Sequence, residues 1–477
     1  MRSLTMKFGG TSVGSPEALD QAAHIVLEQA GQWERLVVVV SAMSGVTDAL
    51  THGTLTAAAG NNRTYRALIT DLRARHYKAV DALLEPNSER TQLLAAVDGY
   101  LDEFGLFCLS VHTMGEVTPR AMAAITSLGE RISARILAAV LRQRGANSEA
   151  LDATELIVTD DTFQDAVPRM KATQKRVSAR LIPLLEQGVV PVITGFVGAT
   201  EEGVTTTLGR GGSDYSAAIL GTCLGADEVW TWTDVDGVMT ANPRIVADAR
   251  VIPVLSYNEI GELAYFGAKV LHPRTIRPIV ERGIPLWVKN TFNPSAPGTR
   301  IVQNTENSVG KVKSVTAIEG LSVVTVEGRG MMGVPGIAAR TFAAVASQGA
   351  SVLMISQASS EQSISFVIPT EAVPPVVRAV EREMALELAR RDVDRVWSQD
   401  PVVIVTAVGA GMRSTPGIAA RIFGALGQAD INVIAIAQGS SECGISLVVA
   451  AENAASAIQQ IHREVILDGG GKEGSGK

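Results

Sequence analysis

Residues 36–40 read Leu-Val-Val-Val-Val, bounded by Arg35 and Ser41. A strand that is apolar on both sides of its pleat must be covered on both faces, the condition met in a parallel sheet flanked by helices. Leu4 to Phe8, Val189 to Thr194 and Val229 to Thr233 have the same character. Between them lie helical patterns at about Pro16–Ala30, Tyr65–Leu84, Arg90–Phe107 and Glu130–Arg144. Strands alternating with helices predict an α/β domain with a mostly parallel, doubly wound sheet. The turn-rich stretch Asn293-Pro294-Ser295-Ala296-Pro297-Gly298 is the expected boundary.

Beyond that boundary the chain repeats itself. Gly330–Pro369 aligns without gaps on Gly411–Ala450, an offset of 81, with 19 of 40 positions identical. Two copies are too few for a solenoid, so two small α+β modules packed together are predicted. The Gly/Lys-rich tail, 469–477, is expected to be disordered.

A chain of 477 residues carrying 46% apolar and 19% charged residues can build a large core. Its formal net charge of −7 argues against a nucleic-acid partner held on phosphates. Neither an apolar leader nor a membrane-length apolar run is present in the sequence, which predicts no membrane association and a cytoplasmic location. The three cysteines form no CxxC pair, and no histidine spacing matches a metal motif, so no protein-held metal is expected.

The chemistry-bearing stretches are rich in glycine and in cations. Lys7-Phe8-Gly9-Gly10-Thr11-Ser12 places a cation and two side-chain-free residues at the end of a buried strand, where backbone N–H groups can approach a phosphate. Thr207–Ala218 contains Gly209-Arg210-Gly211-Gly212-Ser213-Asp214, a glycine turn feeding a helix whose free N–H groups favour an anion. Capping by Ser213 or Asp214 leaves an arginine amid three glycines unexplained. Glu130 completes a Ser127-x-x-Glu capping box, which by itself is a sufficient structural reason for the residue. Gly328-Arg329-Gly330-Met331-Met332-Gly333 fits GxGxxG, but the next strand, read as Ser351–Ile355, ends in Ser356-Gln357 rather than an acidic residue. A dinucleotide site is therefore rejected.

Taken together, KFGGTSVG at 7–14, SAMSGVTDAL at 41–50, SLGERISA at 127–134, TTTLGRGGSDYSAA at 205–218, WTDVDGVMTANPR at 232–244 and FGAKVLHP at 266–273 resemble the aspartate kinases of the amino-acid kinase family. The paired repeats are similar to that family's ACT regulatory domains. The resemblance implies an amino-acid kinase domain at 1–300, ACT (ferredoxin-like) modules at 315–390 and 400–468, and phosphorylation of the side-chain carboxylate of L-aspartate by Mg-ATP, the metal arriving with the nucleotide. That reaction opens lysine, threonine and methionine biosynthesis. Another carboxylate or carbamate kinase of the same fold is the alternative.

Carried over position by position, Lys7, Lys269 and Asp214 match the catalytic lysines and the aspartate that orients them. Ser41, Thr47, Glu130, Arg210, Gly211, Gly212 and Ser213 match aspartate-binding positions, Glu130 facing the ammonium and Arg210 the α-carboxylate. Gly9, Gly10, Thr233, Asp234, Met239, Arg244 and Val270, with both lysines, match nucleotide contacts. Met239 stands where some members carry tyrosine, and Asn242 replaces an aspartate common before Pro-Arg. An ionised carboxylate needs no general base, so lysines, an arginine and glycine loops suffice for positioning and charge stabilisation. Ile355, Gln357, Ile436 and Gln438 recur in both repeats and resemble the effector positions of threonine-sensitive members, with lysine as the alternative effector. A homodimer or higher homo-oligomer through the ACT modules is expected.

Overall fold

The computed structural model describes residues 2–267, 271, 273–303, 311–412, 414–438 and 443–467. Lys269, Val270 and the 469–477 tail lie outside the described residues. The chain divides into two compact units: Met1–Val238 with Pro253–Tyr257 and Val270–Asn304, and Met239–Ile252 with Asn258–Lys269 and Thr305–Lys477.

In the first unit an eight-stranded sheet runs in the order Ser148–Leu151, Val190–Thr194, Arg35–Val40, Ser3–Phe8, Glu228–Thr233, Leu286–Asn290, Thr299–Val302, Val254–Ser256. The first six are mutually parallel. The valine run sits inside this block, and Val37 to Val40 are buried at 0–1% exposure, as a strand covered on both faces requires. Helices Pro16–Ala30 and Leu128–Gln143 belong to one large apolar cluster with it. Helix Gly212–Leu224 also packs on Ser3–Phe8 and Arg35–Val40, so the sheet is doubly wound. Asn293–Gly298 does not end this unit. It connects Leu286–Asn290 to the antiparallel strand Thr299–Val302 of the same sheet. No helix among the described residues is long and apolar enough to cross a membrane.

The second unit holds one six-stranded sheet, ordered Met354–Gln357, Ser363–Pro369, Ser314–Glu327, Arg395–Val408, Gly444–Ala450, Ala435–Gln438. Its two central strands run antiparallel along their length, Ser314 opposite Val408 and Glu327 opposite Arg395. Each strand therefore serves both repeats: Leu321–Glu327 pairs with Ser363–Pro369, and Val402–Val408 pairs with Gly444–Ala450. The predicted pair of packed modules is thus fused through shared strands. The strand expected at Ser351–Ile355 is formed by Met354–Gln357.

Equivalent contacts recur at the repeat offset. Gly328 donates to Gln362 O and Gly409 to Cys443 O, both at 2.9 Å. Arg340 pairs with Glu383, and Arg421 with Glu464. A Cβ on Gly328 would lie 2.2 Å from Asp392 O, and one on Gly409 2.1 Å from Lys311 O. Close backbone packing thus accounts for the first glycine of the GxGxxG. Gly328→Ala and Gly409→Ala are each expected to cost about 1–3 kcal/mol in urea unfolding. Gly424→Ala, where an added Cβ meets nothing within 4 Å, should cost nothing. NAD titrated calorimetrically should show no saturable binding; equal stability of all three variants would contradict the packing argument.

Candidate active site

Lys7, Ser41, Gly195, Thr233 and Thr291 all stand at or just beyond the C-terminal ends of the parallel strands, the edge at which α/β sheets bind ligands. Lys7 occupies the penultimate position of Ser3–Phe8, and its Nζ lies 2.9 Å from Asp214 Oδ1, with side-chain exposures of 10% and 16%. Thr231 Oγ1 donates to the same carboxylate oxygen at 3.3 Å. The cation is thus held at a fixed point among few competing waters.

The glycine loop wraps around it. Gly9 N and Ser12 Oγ both donate to Trp232 O, at 3.1 and 3.2 Å, and Thr291 Oγ1 donates to Ser12 Oγ at 2.7 Å. Ser44 N donates to Gly10 O at 3.0 Å, joining this loop to the one that follows Val40. The 209–213 loop reaches the same edge: a Cβ at Gly195 would come within 2.6 Å of Ser213 Oγ and 2.9 Å of Val40 O, so only glycine fits there. Gly211, at φ +71°, begins helix Gly212–Leu224. Arg210 is exposed and enters no ion pair among the described residues, leaving its planar fork of donors available to a carboxylate.

The capping box is not formed. Ser127 makes no side-chain cap; its hydroxyl donates backward to Ala124 O at 2.7 Å. Glu130 is instead 3% exposed, and its Oε2 has no hydrogen-bond partner. Burial pushes its carboxyl up to about 8, against the opposing effect of the Ala42 backbone N–H and its own N–H. Helix Leu128–Gln143 brings Glu130 to the loop beyond Val40 by close approach, since a Cβ on Gly129 would lie 2.7 Å from Ala42 Cβ. Ser41 and Thr47 lie on that loop and on the first turn of Val46–Ala58. A buried carboxyl with one oxygen left unpartnered is a costly feature to keep without a cation to meet it.

Thr233 and Asp234 follow strand Glu228–Thr233, with Thr233 Oγ1 donating to Asp234 Oδ1 at 3.1 Å. Met239 and Arg244 fall in the second unit. There Asn242 Oδ1 accepts from Arg244 N at 3.0 Å, an Asx-turn role that the amide fulfils as an aspartate would. Two further charged residues of the first unit lie outside the sequence motifs. Arg274 Nη1 donates to both oxygens of Asp165, at 2.8 and 2.7 Å, and Asp165 lies against Gly209. Among the effector positions, Gln357 lines a cavity of about 360 Å³ in the first repeat, together with Gly333, Pro335, Gly336 and Glu361. Glu361 Oε2 accepts from Gly333 N at 2.9 Å. Ile355 and Ile436 are about half exposed and Gln438 is exposed; none of the three lines that cavity.

A sequence model of the amino acid kinase family matches residues 4–290, and an ACT-domain model matches 324–384 and 405–465. A bifunctional aspartokinase/homoserine dehydrogenase of Haemophilus influenzae is 38% identical over 96% of this chain and 56% of its own length. Aspartokinase 1, chloroplastic, of Arabidopsis thaliana is 33% identical over 97% of this chain and 80% of its own. E. coli aspartokinase III, solved with aspartate and ADP and again with lysine and aspartate, superposes with TM-scores of 0.77 and 0.79 at 28% identity, over 97% of this chain and 100% and 99% of those chains. The chain belongs to the amino acid kinase family and, within it, to the aspartokinases. It spans about half the length of the bifunctional relatives it matches.

Glu130 generates a pH prediction. An ammonium requires the ionised carboxylate, so aspartate binding should weaken as pH falls below about 8, by up to tenfold per unit. The folded-state value is raised, so the ligand-free protein takes up a proton on folding. Its stability should therefore fall as pH rises from the ordinary carboxylate range through about 8. Glu130→Gln should raise the KM for aspartate far more than that for ATP, abolish its pH dependence and stabilise the ligand-free protein at high pH. Equal changes in both KM values would count against the assignment.

Proposed function

We propose that this chain transfers the γ-phosphoryl group of ATP to the side-chain carboxylate of L-aspartate. The observation that carries the reading is the buried Glu130 carboxyl, whose Oε2 has no hydrogen-bond partner, on the helix packed against the loop that follows Val40, with the Lys7–Asp214 pair elsewhere on the same strand-end edge. A free α-ammonium substrate satisfies Glu130, whereas an N-acylated amino acid leaves it unpaired. Arg210 takes the α-carboxylate as a bidentate partner.

In the reaction a side-chain carboxylate oxygen bonds to the γ-phosphorus while the bridging β–γ P–O bond breaks, and ADP leaves. Lys7 meets the charge spread over the transferring oxygens, and Asp214 holds Lys7 in place. Mg²⁺ carried by the nucleotide would supply neutralisation of phosphate charge. The nucleotide contacts proposed from the match to the family's motifs are Thr233, Asp234, Met239, Arg244, Lys269 and Val270. The E. coli relative, solved with aspartate and ADP bound, supports both substrates.

The second unit is read as the regulatory unit, its effector an amino acid. Gln357 offers an amide that donates and accepts, suiting threonine's hydroxyl and zwitterion. Glu361 in the same cavity keeps lysine as the second reading, as does the lysine complex of the E. coli relative. Assembly of the chain as a homo-oligomer is supported by the exposed Ile355 and Ile436 on the two outer strands of the six-stranded sheet. Cys108, Cys223 and Cys443, all buried and unbridged, suit a cytoplasm-type reducing compartment.

ADP release measured with L-aspartate, L-glutamate and N-acetyl-L-glutamate tests the reading; activity with aspartate alone is expected, and preference for either competitor would refute it. Lys7→Ala should lower kcat by roughly 10²–10³-fold with the fold retained. Gln357→Ala should relieve threonine inhibition while leaving uninhibited activity near wild type. Inhibition by lysine alone, unchanged in this variant, would transfer the site to lysine.

A further inference from the structure

We propose that Arg75 is a positioning residue that clamps together the two loops following Phe8 and Val40. This inference rests on the aspartate-kinase reading for its kinetic consequences, but the clamp itself is geometric. Arg75 lies on helix Asn62–Leu83, outside every motif of the sequence, and is half-buried. Its Nη2 donates to Gly14 O at 3.1 Å. Its Nη1 lies 3.9 Å from where a Cβ of Gly45 would stand. The guanidinium thus spans the last residue of the first glycine loop and the residue that begins helix Val46–Ala58.

These loops already meet. Ser44 N donates to Gly10 O at 3.0 Å, and a Cβ on Gly14 would lie 2.9 Å from Gly10 O and 3.3 Å from Ser44 Cβ. One loop follows Lys7 and the other carries Ser41 and leads to Thr47, so their separation sets the distance between the phosphoryl and aspartate sides. Arg73, two residues before it on the same helix, pairs instead with Asp98 and Asp102. Arg75 enters no ion pair among the described residues and spends a planar, multi-donor group on a loop carbonyl. A lysine there would keep the charge and lose the span, because an ammonium is a point donor.

The test combines kinetics with amide hydrogen exchange on wild type, Arg75→Gln and Arg75→Lys. Arg75→Gln should lower kcat/KM for aspartate roughly 10–100-fold, the scale of a small misplacement of reacting groups. Arg75→Lys should recover only part of this. Exchange should accelerate in Arg75→Gln at residues 11–15 and 44–47 and nowhere else, which a general loss of stability would not produce. Wild-type kinetics in Arg75→Gln, or slower turnover without this local change, would overturn the clamp. If Arg75→Gln does not fold, the same comparison on Arg75→Lys decides. Failure of the wild type to release ADP with aspartate would refute the substrate reading alone, since the exchange pattern still tests the clamp.

Discussion

For the proposed reaction between two anionic substrates, a protein of net charge −7 must gather positive charge at one point, and the sheet determines where that point can be. Lys7 stands near the end of a strand whose residues are all buried. An ammonium in that position is costly unless it is paired, and Asp214 at 2.9 Å meets the cost. Asp214 in turn lies in the first turn of helix Gly212–Leu224, whose N-terminus follows Arg210. The ion pair therefore ties the central strand to the 209–213 loop. The glycine turn after Phe8 keeps side chains away from the cation, since a Cβ on Gly9 would lie 3.6 Å from Lys7 Nζ.

Glu130 is governed by the opposite arrangement. Lys7 is satisfied within the protein, whereas Glu130 is buried with one carboxylate oxygen unpartnered. In the ligand-free protein the unfavourable charge is avoided by protonation, as its rise to about 8 indicates. On the proposed reading, aspartate's ammonium would exchange that proton for a cation, coupling recognition to proton release. Such a site sacrifices stability in the empty state to discriminate against ligands that lack an ammonium.

The parallel sheet was legible because burial on both faces leaves a continuous apolar run, and no other environment readily tolerates Val37 to Val40. The repeat was legible as a repeat, but its shared central strands were not. Strand exchange depends on where Ser314–Glu327 finds partners, and pairing beyond the aligned copies leaves no local signal. Likewise Ser127-x-x-Glu130 is compatible with a capping box by spacing alone. What decides against it is the packing of Gly129 on Ala42, a contact between segments far apart in sequence. Arg75 and the Asp165–Arg274 pair were illegible for the same reason: neither sits in a motif, and each acquires meaning only from the loop it touches.

The second unit also takes in more than the repeats. Met239–Ile252 and Asn258–Lys269, both within the stretch matched by the amino acid kinase family, pack with it. Ala241 and Val246 join the apolar cluster of the second repeat. Thr240 Oγ1 lies 2.9 Å from His462 Nε2, and Gln459 Nε2 donates to Ile245 O at 2.8 Å. Buried Glu259 pairs with Lys313 at 2.9 Å and accepts the backbone N–H of Ala410, where the glycine turn of the second repeat begins. Met239 and Arg244, proposed nucleotide contacts, are thus carried by the unit that is read as regulatory. Coupling between an effector and a substrate needs a shared element with differential contacts in two states. Met239–Ile252 is such an element for the proposed regulation: a rearrangement of the second repeat reaches it through their common apolar core.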